Sequence, residues 1–179
     1  MYFLTDKLEF PPVETADENG VVAIGGDLSV ERLILAYKSG IFPWYSEGES
    51  IVWYSPKERM VLFPEALKIS KSMRQIIKKG DFKVTFNQAF KEVIQNCKTV
   101  NRVEQGETGT WITDEMKEAY IKLHKLGVAK SVEVWQLDTE RSRSDEEQYN
   151  LVGGLYGLEI GNIWANYRNP IATLNLEHA

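Results

Sequence analysis

The twenty residues from Tyr37 to Pro56, YKSGIFPWYSEGESIVWYSP, constrain this chain more than any other stretch. They hold the aromatic side chains of Tyr37, Phe42, Trp44, Tyr45, Trp53 and Tyr54, interleaved with Gly40, Pro43, Gly48 and Pro56. Proline removes a backbone donor and glycine weakens regular structure, so a continuous amphipathic helix is excluded here. What remains is a shaped loop with short extended pieces that hold the rings in fixed positions. Taken alone, such a cluster is most simply a small core. The residues on either side decide whether some of the rings serve a site instead.

Upstream, Asn19-Gly20 and Gly25-Gly26 bracket VVAI, a short strand between two tight turns. Residues 1–22 otherwise form an extended entry segment with Pro11, Pro12 and an acidic run from Glu14 to Glu18. Ser29 is placed to cap a helix running to about Ser39, with Leu28 and Leu33 as a hydrophobic staple and Gly40 as the stop. Gly25-Gly26-Asp27 lacks the Lys and Ser/Thr of a phosphate loop and the spacing of a dinucleotide turn, so it reads as a structural turn.

Downstream, MVLF at 60–63 predicts a strand, and Ser70 caps a helix from Lys71 to Lys79 that Gly80 ends. Met73, Ile76 and Ile77 share one side of that helix; Lys71, Arg74, Lys78 and Lys79 share the other. A run of cations is usually a solvated face. In a chain of formal net charge −5, however, four cations without an acid on one face form its best candidate for phosphate contacts. FKVTF at 82–86 predicts a strand, Asn87 a cap, and Phe90, Val93, Ile94 and Cys97 the buried stripe of the next helix. Thr113 caps a further helix with Asp114 and Glu115 in its first turn, and Met116, Tyr120 and Leu123 line its buried side. His124, beside that stripe, reads as packed or surface-exposed and not as a catalyst. Ala129–Leu137 and Leu151–Ile160 alternate as two strands around the charged loop 138–150, and Gly153-Gly154 suggests a bulge or a close approach.

At 179 residues, 43% hydrophobic and 26% charged, the composition is that of an ordinary globular protein of one domain or slightly more. Cys97 is the single cysteine, which excludes an internal disulfide and a cysteine zinc cluster, and the only histidines are His124 and His178. No metal site is expected, and no stretch approaches the ~18 apolar residues a membrane span needs. A cytoplasmic protein without membrane partners is the expectation.

The segments AIGGDLS (23–29), AYKSGIFPWYSEG (36–48), WYSP (53–56), ISKSM (69–73), VTFNQAF (84–90), GTWIT (109–113), LHKLG (123–127), SVEVW (131–135) and LVGGLYG (151–157) occur in an order that resembles the leucyl/phenylalanyl-tRNA–protein transferase family. GIFPW and GTWI are its most specific words, and the resemblance spans roughly residues 10–162. It implies an α+β chain: a small N-terminal α/β domain over 1–56 and an incomplete acetyltransferase-like (GNAT) domain over 57–179. It implies transfer of Leu, Phe or Met from aminoacyl-tRNA to proteins with N-terminal Arg or Lys, marking them for degradation, by a monomer that uses no metal or cofactor. By matching motif positions, Trp44 and Trp111 correspond to the tryptophans that flank adenosine and ester. Tyr37 and Tyr120 correspond to supporting rings or hydroxyls, Leu155 and Trp164 to the side-chain pocket, and Lys71, Arg74, Lys78 and Lys79 to the acceptor-stem patch. An apolar amino acid on a terminal adenosine does call for an apolar pocket with stacking rings.

The family pattern then departs. Its acid in a Gly-Glu-Ser-Met-Phe segment and its Asp-Cys-Gln segment have no match; after Trp164 the chain reads ANYRNPIATLNLEHA, with Tyr167 where the acid would stand. The catalytic residues are therefore unassigned, and a truncated or frame-shifted ending, leaving one side of the 129–160 hairpin uncovered, is the expectation. The competing reading is an inactive module that binds the tRNA 3′ end. A coenzyme-A acetyltransferase is disfavoured because no pyrophosphate loop occurs.

Overall fold

A computed structural model describes residues 2–59, 66–99, 112–137, 149–160 and 163–166, of which 149, 152–160 and 163–166 are described in backbone only. The expected strand at 60–63, Trp111 and most of the 138–150 loop lie outside the described residues.

The first sheet grows from the aromatic stretch. Strand β2 (Val21–Gly25) pairs in parallel with β1 (Phe3–Leu4) and antiparallel with β4 (Val52–Tyr54), which pairs with β3 (Phe42–Pro43). Proline is tolerated in β3 because that strand is an edge, in the order β1-β2-β4-β3. Helix α1 (Val30–Lys38) follows β2; the Ser29 hydroxyl accepts from Arg32 N at 3.4 Å, and Leu28 and Leu33 are both buried, as the staple requires. Gly26, at φ +76°, makes the turn between strand and helix, where a Cβ would stand 3.1 Å from Leu4 and 3.3 Å from Arg32. Trp53 anchors this half: it is fully buried, its Nε1 donates to Gly25 O at 2.9 Å, and Phe10 meets it edge-on at 4.9 Å.

The second sheet is antiparallel, β5 (Phe82–Phe86), β6 (Ala129–Leu137), β7 (Tyr149–Ile160) and β8 (Ile163–Asn166), in that spatial order. The α+β class is thus as expected, with β8 an unforeseen fourth strand. The pairing slips between Val134 and Trp135, opposite Gly153 and Leu151, so the bulge expected at Gly153-Gly154 sits at its edge. Helices α3 (Phe90–Thr99) and α4 (Asp114–Lys125) cover one face and bury Phe90, Val93, Ile94, Cys97, Met116, Tyr120 and Leu123. Cys97 is the core residue its spacing predicted.

Strand β6 turns Ala129, Ser131 and Glu133 inward, all three buried, while Val132 and Val134 are only half-buried. Phe82, Val84 and Phe86 are exposed. Glu133 explains the parity: its carboxylate accepts from Ser131 Oγ (2.5 Å), Thr85 Oγ1 (2.6 Å) and Ala89 N (3.3 Å), at the N-terminus of α3. For the same reason Asn87 is not the cap of α3. It lies at φ 59° and turns its Oδ1 to Ser131 N at 2.9 Å.

Helix α2 (Lys71–Lys79) matches its expected bounds, with the Ser70 hydroxyl accepting from Met73 N at 3.1 Å and Gly80 left-handed at its end. It buries no residue.

Candidate functional site

The backbone alternates around Trp44. Pro43 and Tyr45 are buried while Trp44 is 49% exposed. Its amide donates to Val52 O at 2.8 Å, which fixes the backbone and turns the indole outward. Tyr54 backs it, centroids 6.1 Å apart and tilted 55°, and stacks in turn on Phe42 at 6.1 Å and 24°. Arg59 closes the loop beneath: Nη2 donates to Gly40 O and, at 3.0 Å, to Ser55 Oγ, and Nε donates to Pro56 O at 3.3 Å. The guanidinium thus joins the end of α1 to the segment after β4. It also places a cation at the negative end of that helix.

Two pairs of hydroxyls attach this wall to α4. The Tyr37 and Tyr120 hydroxyls hydrogen-bond directly, their rings edge-on at 6.3 Å, and both side chains are buried. Tyr45 OH meets Thr113 Oγ1 at 3.1 Å, and Thr113 accepts from Met116 N at 3.1 Å as the N-cap of α4. Burial, the largest influence, pushes the Tyr120 phenol well above its ordinary range. Burial also raises Tyr45; the Thr113 bond opposes this and the Glu115 carboxylate adds to it. Both phenols are therefore neutral hydroxyls at pH 7.

The other expected site residues fall as follows. Leu155 lies on β7 opposite Val132, and Trp164 on β8 opposite Glu159. Trp111 is outside the described residues, though Ile112 and Thr113, which follow it, are buried. Lys71, Arg74, Lys78 and Lys79 are exposed on α2. The expectation that no acid faces them is corrected by Asp81, whose carboxylate holds Lys79 Nζ at 2.7 Å and raises its pKa. Among the described residues no cluster of three or more His, Cys, Asp or Glu is placed to hold a metal ion. No helix among them is long and apolar enough to cross a membrane. His124 packs flat on Phe90 at 4.2 Å, with Nδ1 2.9 Å from Ala129 O.

Motif matching alone missed Tyr45, Tyr54 and Arg59. The sequence signal for the first two was present in the aromatic density of the stretch, but alternation of buried and exposed rings needed the register of β3 on β4. Chemically, a half-exposed indole on a rigid aromatic backing offers a planar apolar face on which a nucleobase can stack.

Comparison with known proteins identifies the family. The family model described as leucyl/phenylalanyl-tRNA protein transferase matches residues 61–167, and the model of that transferase's N-terminal domain matches residues 26–57. A leucyl/phenylalanyl-tRNA–protein transferase of Flavobacterium johnsoniae is 59% identical over 164 residues, covering 92% of this chain and 71% of the relative. Proteins of the same name from Christiangramia forsetii (53% over 160 residues, 89% and 69% covered) and Magnetococcus marinus (45% over 168 residues, 92% and 67%) are also similar. The chain belongs to the leucyl/phenylalanyl-tRNA–protein transferase family.

Proposed function

We propose that this protein is an aminoacyltransferase that moves Leu, Phe or Met from the 3′ end of a charged tRNA to the α-amine of proteins beginning with Arg or Lys. Family membership across residues 26–167 is the observation that carries this reading. The exposed Trp44 face supports it. In the reaction the acceptor amine loses its proton and attacks the ester carbonyl, the bond to the ribose oxygen breaks, and that oxygen leaves as a hydroxyl. Trp44 and Trp111 flank the terminal adenosine and the ester, Tyr37 and Tyr120 hold the wall in place, and Leu155 and Trp164 form the pocket for the apolar side chain. The cations of α2 meet the acceptor stem, with Lys79 contributing least because of Asp81. The residues that handle the proton and the oxyanion stay unassigned.

In this reading the chain works in the cytoplasm as a monomer. It divides at residue 56 into an N-terminal domain and an acetyltransferase-like domain. The two separate sheets and the matches that end at 57 and resume at 61 support the division. A second reading, binding of the tRNA 3′ end without transfer, is favoured by one sequence fact: Tyr167 stands where the Gly-Glu-Ser-Met-Phe acid is expected. Incubation with labelled Phe-tRNA and a protein starting with Arg separates the two. Label on the acceptor is the expected result. Salt-sensitive tRNA binding without label transfer would leave the binding module, and neither would refute both.

A further inference from the structure

Residues 66–86, which carry α2 and β5, combine exposed apolar side chains with positive charge. Of the eleven large apolar side chains exposed among the described residues, six lie here: Leu67, Ile69, Ile77, Phe82, Val84 and Phe86. The same stretch holds six Lys or Arg and a single acid, Asp81, in a chain of net charge −5, and Asp81 is paired with Lys79 at 2.7 Å. The fold says where the rings stand. Thr85 is buried, its hydroxyl bonded to the Glu133 carboxylate at the start of α3. Phe82, Val84 and Phe86 have the opposite parity, so they line the sheet face away from α3, exposed by 39%, 55% and 65%. They recur about 6.6 Å apart along the strand. Their neighbours in register on β6, Val134 beside Val84 and Val132 beside Phe86, are half-buried and continue the apolar face. Only Gly80 and Asp81 separate this strand from the cations of α2. Rings on an open sheet face beside a cationic helix suit a polyanion with flat apolar faces, and a single-stranded nucleic acid has both properties.

We propose that Phe82 and Phe86 are stacking positions for the unpaired nucleotides that join the acceptor stem of the tRNA to its aminoacylated adenosine. This deepens the reading above and rests on it: α2 meets the paired stem in that reading, and β5, next in the chain, takes the single strand that leaves it. The two contacts differ in kind. Cations on α2 respond to phosphate charge and weaken with salt, whereas the rings of β5 hold base faces of any sequence. Phe86 makes the larger contact because more of its ring is open than that of Phe82.

The test compares two ligands on the full chain: Phe-tRNA, and phenylalanyl-adenosine, which lacks the nucleotides in question. In Phe86→Ala the dissociation constant for Phe-tRNA rises about fivefold or more, the lower end of what one stacked base contributes, while that for phenylalanyl-adenosine stays at the wild-type value. Phe86→Tyr, which keeps the ring, binds both ligands as wild type does. Phe82→Ala shows the same selective loss by a smaller factor, and serves if Phe86→Ala does not fold. Wild-type affinity for Phe-tRNA in a folded Phe86→Ala chain would overturn the proposal. Equal losses for the two ligands would overturn it too, since the effect would then reach the adenosine site itself. So would release of Phe86→Ala from phosphatidylglycerol vesicles that wild type binds, with Phe-tRNA binding unchanged, which would give this face to an anionic lipid surface. A wild-type chain that binds neither ligand would refute the functional reading, and the proposal with it; a wild-type chain that binds both, with Phe86 silent, refutes the proposal alone.

Discussion

The wall around Trp44 and the basic helix α2 are held by opposite means. The wall is locked by tertiary contacts: Trp53 on Gly25 and Phe10, Tyr37 on Tyr120, Tyr45 on Thr113 and Arg59 on Gly40. Helix α2 buries nothing and rests on its Ser70 cap, its Gly80 stop and a charged face. A short helix gains little from propensity alone, so α2 has low local stability and its side chains are adaptable. In the proposed reading, the wall offers the rigidity that stacking geometry requires and the helix the freedom that suffices for screened contacts to phosphates, so precise placement and diffuse attraction fall to separate parts of the chain.

The contrast predicts a descending series of effects. Trp53→Ala should be the most damaging, about 3–5 kcal/mol in urea denaturation, since it empties a fully buried site and strands the Gly25 carbonyl. A loss below about 1 kcal/mol would mean that the wall is not locked.

Glu133→Gln should cost about 1–3 kcal/mol, because an amide cannot accept from all of the donors that now converge on the carboxylate. Burial alone would raise the Glu133 pKa; the bonds from Ser131, Thr85 and the start of α3 outweigh it and hold the group below its ordinary value. A lowered folded-state pKa adds stability above the unfolded value and loses it as pH falls through the folded one. Wild type should therefore lose stability on acidification below the ordinary carboxylate range more steeply than Glu133→Gln. Parallel pH curves would remove the carboxylate from this role.

Ser70→Ala should cost α2 about 1 kcal/mol of local stability, visible as faster amide exchange over 71–79, with little change in the global unfolding midpoint. A large global loss would show that α2 is part of the core after all. The smallest difference lies within the patch. Neutralising Lys71, Arg74 or Lys78 should flatten the salt dependence of tRNA binding by up to about 0.9 in log–log slope per cation, and Lys79→Ala by less, because Asp81 already faces it. Equal slopes would mean that the Asp81 pair opens on binding.

Much of this organisation is legible in the sequence, for identifiable reasons. Helix caps at Ser29, Ser70 and Thr113 are local devices, readable from a residue type and its spacing to the apolar stripe, and all three accept the expected backbone N–H. The parity of β6 is not legible, because alternation reports two faces without saying which one is covered. Glu133 reverses the usual inference by being satisfied from Thr85, forty-eight positions away, and from α3. The same holds at the site. The density of rings between Tyr37 and Pro56 announces a shaped aromatic region, but only the pairing of β3 with β4 separates outward Trp44 from inward Tyr45 and Trp53. The Asp81 pair was missed because it lies past Gly80, beyond the helical wheel on which the cations were placed.

The affinity of Trp44→Ala for Phe-tRNA, measured beside its melting curve, tests the central assignment most directly. Trp44 is half exposed, so truncation should leave the fold nearly intact while lost stacking costs about 1–3 kcal/mol of binding, a complex about 5- to 160-fold weaker. Unchanged affinity in a fully folded Trp44→Ala protein would contradict the account, leaving the exposed indole without the stacking role proposed for it.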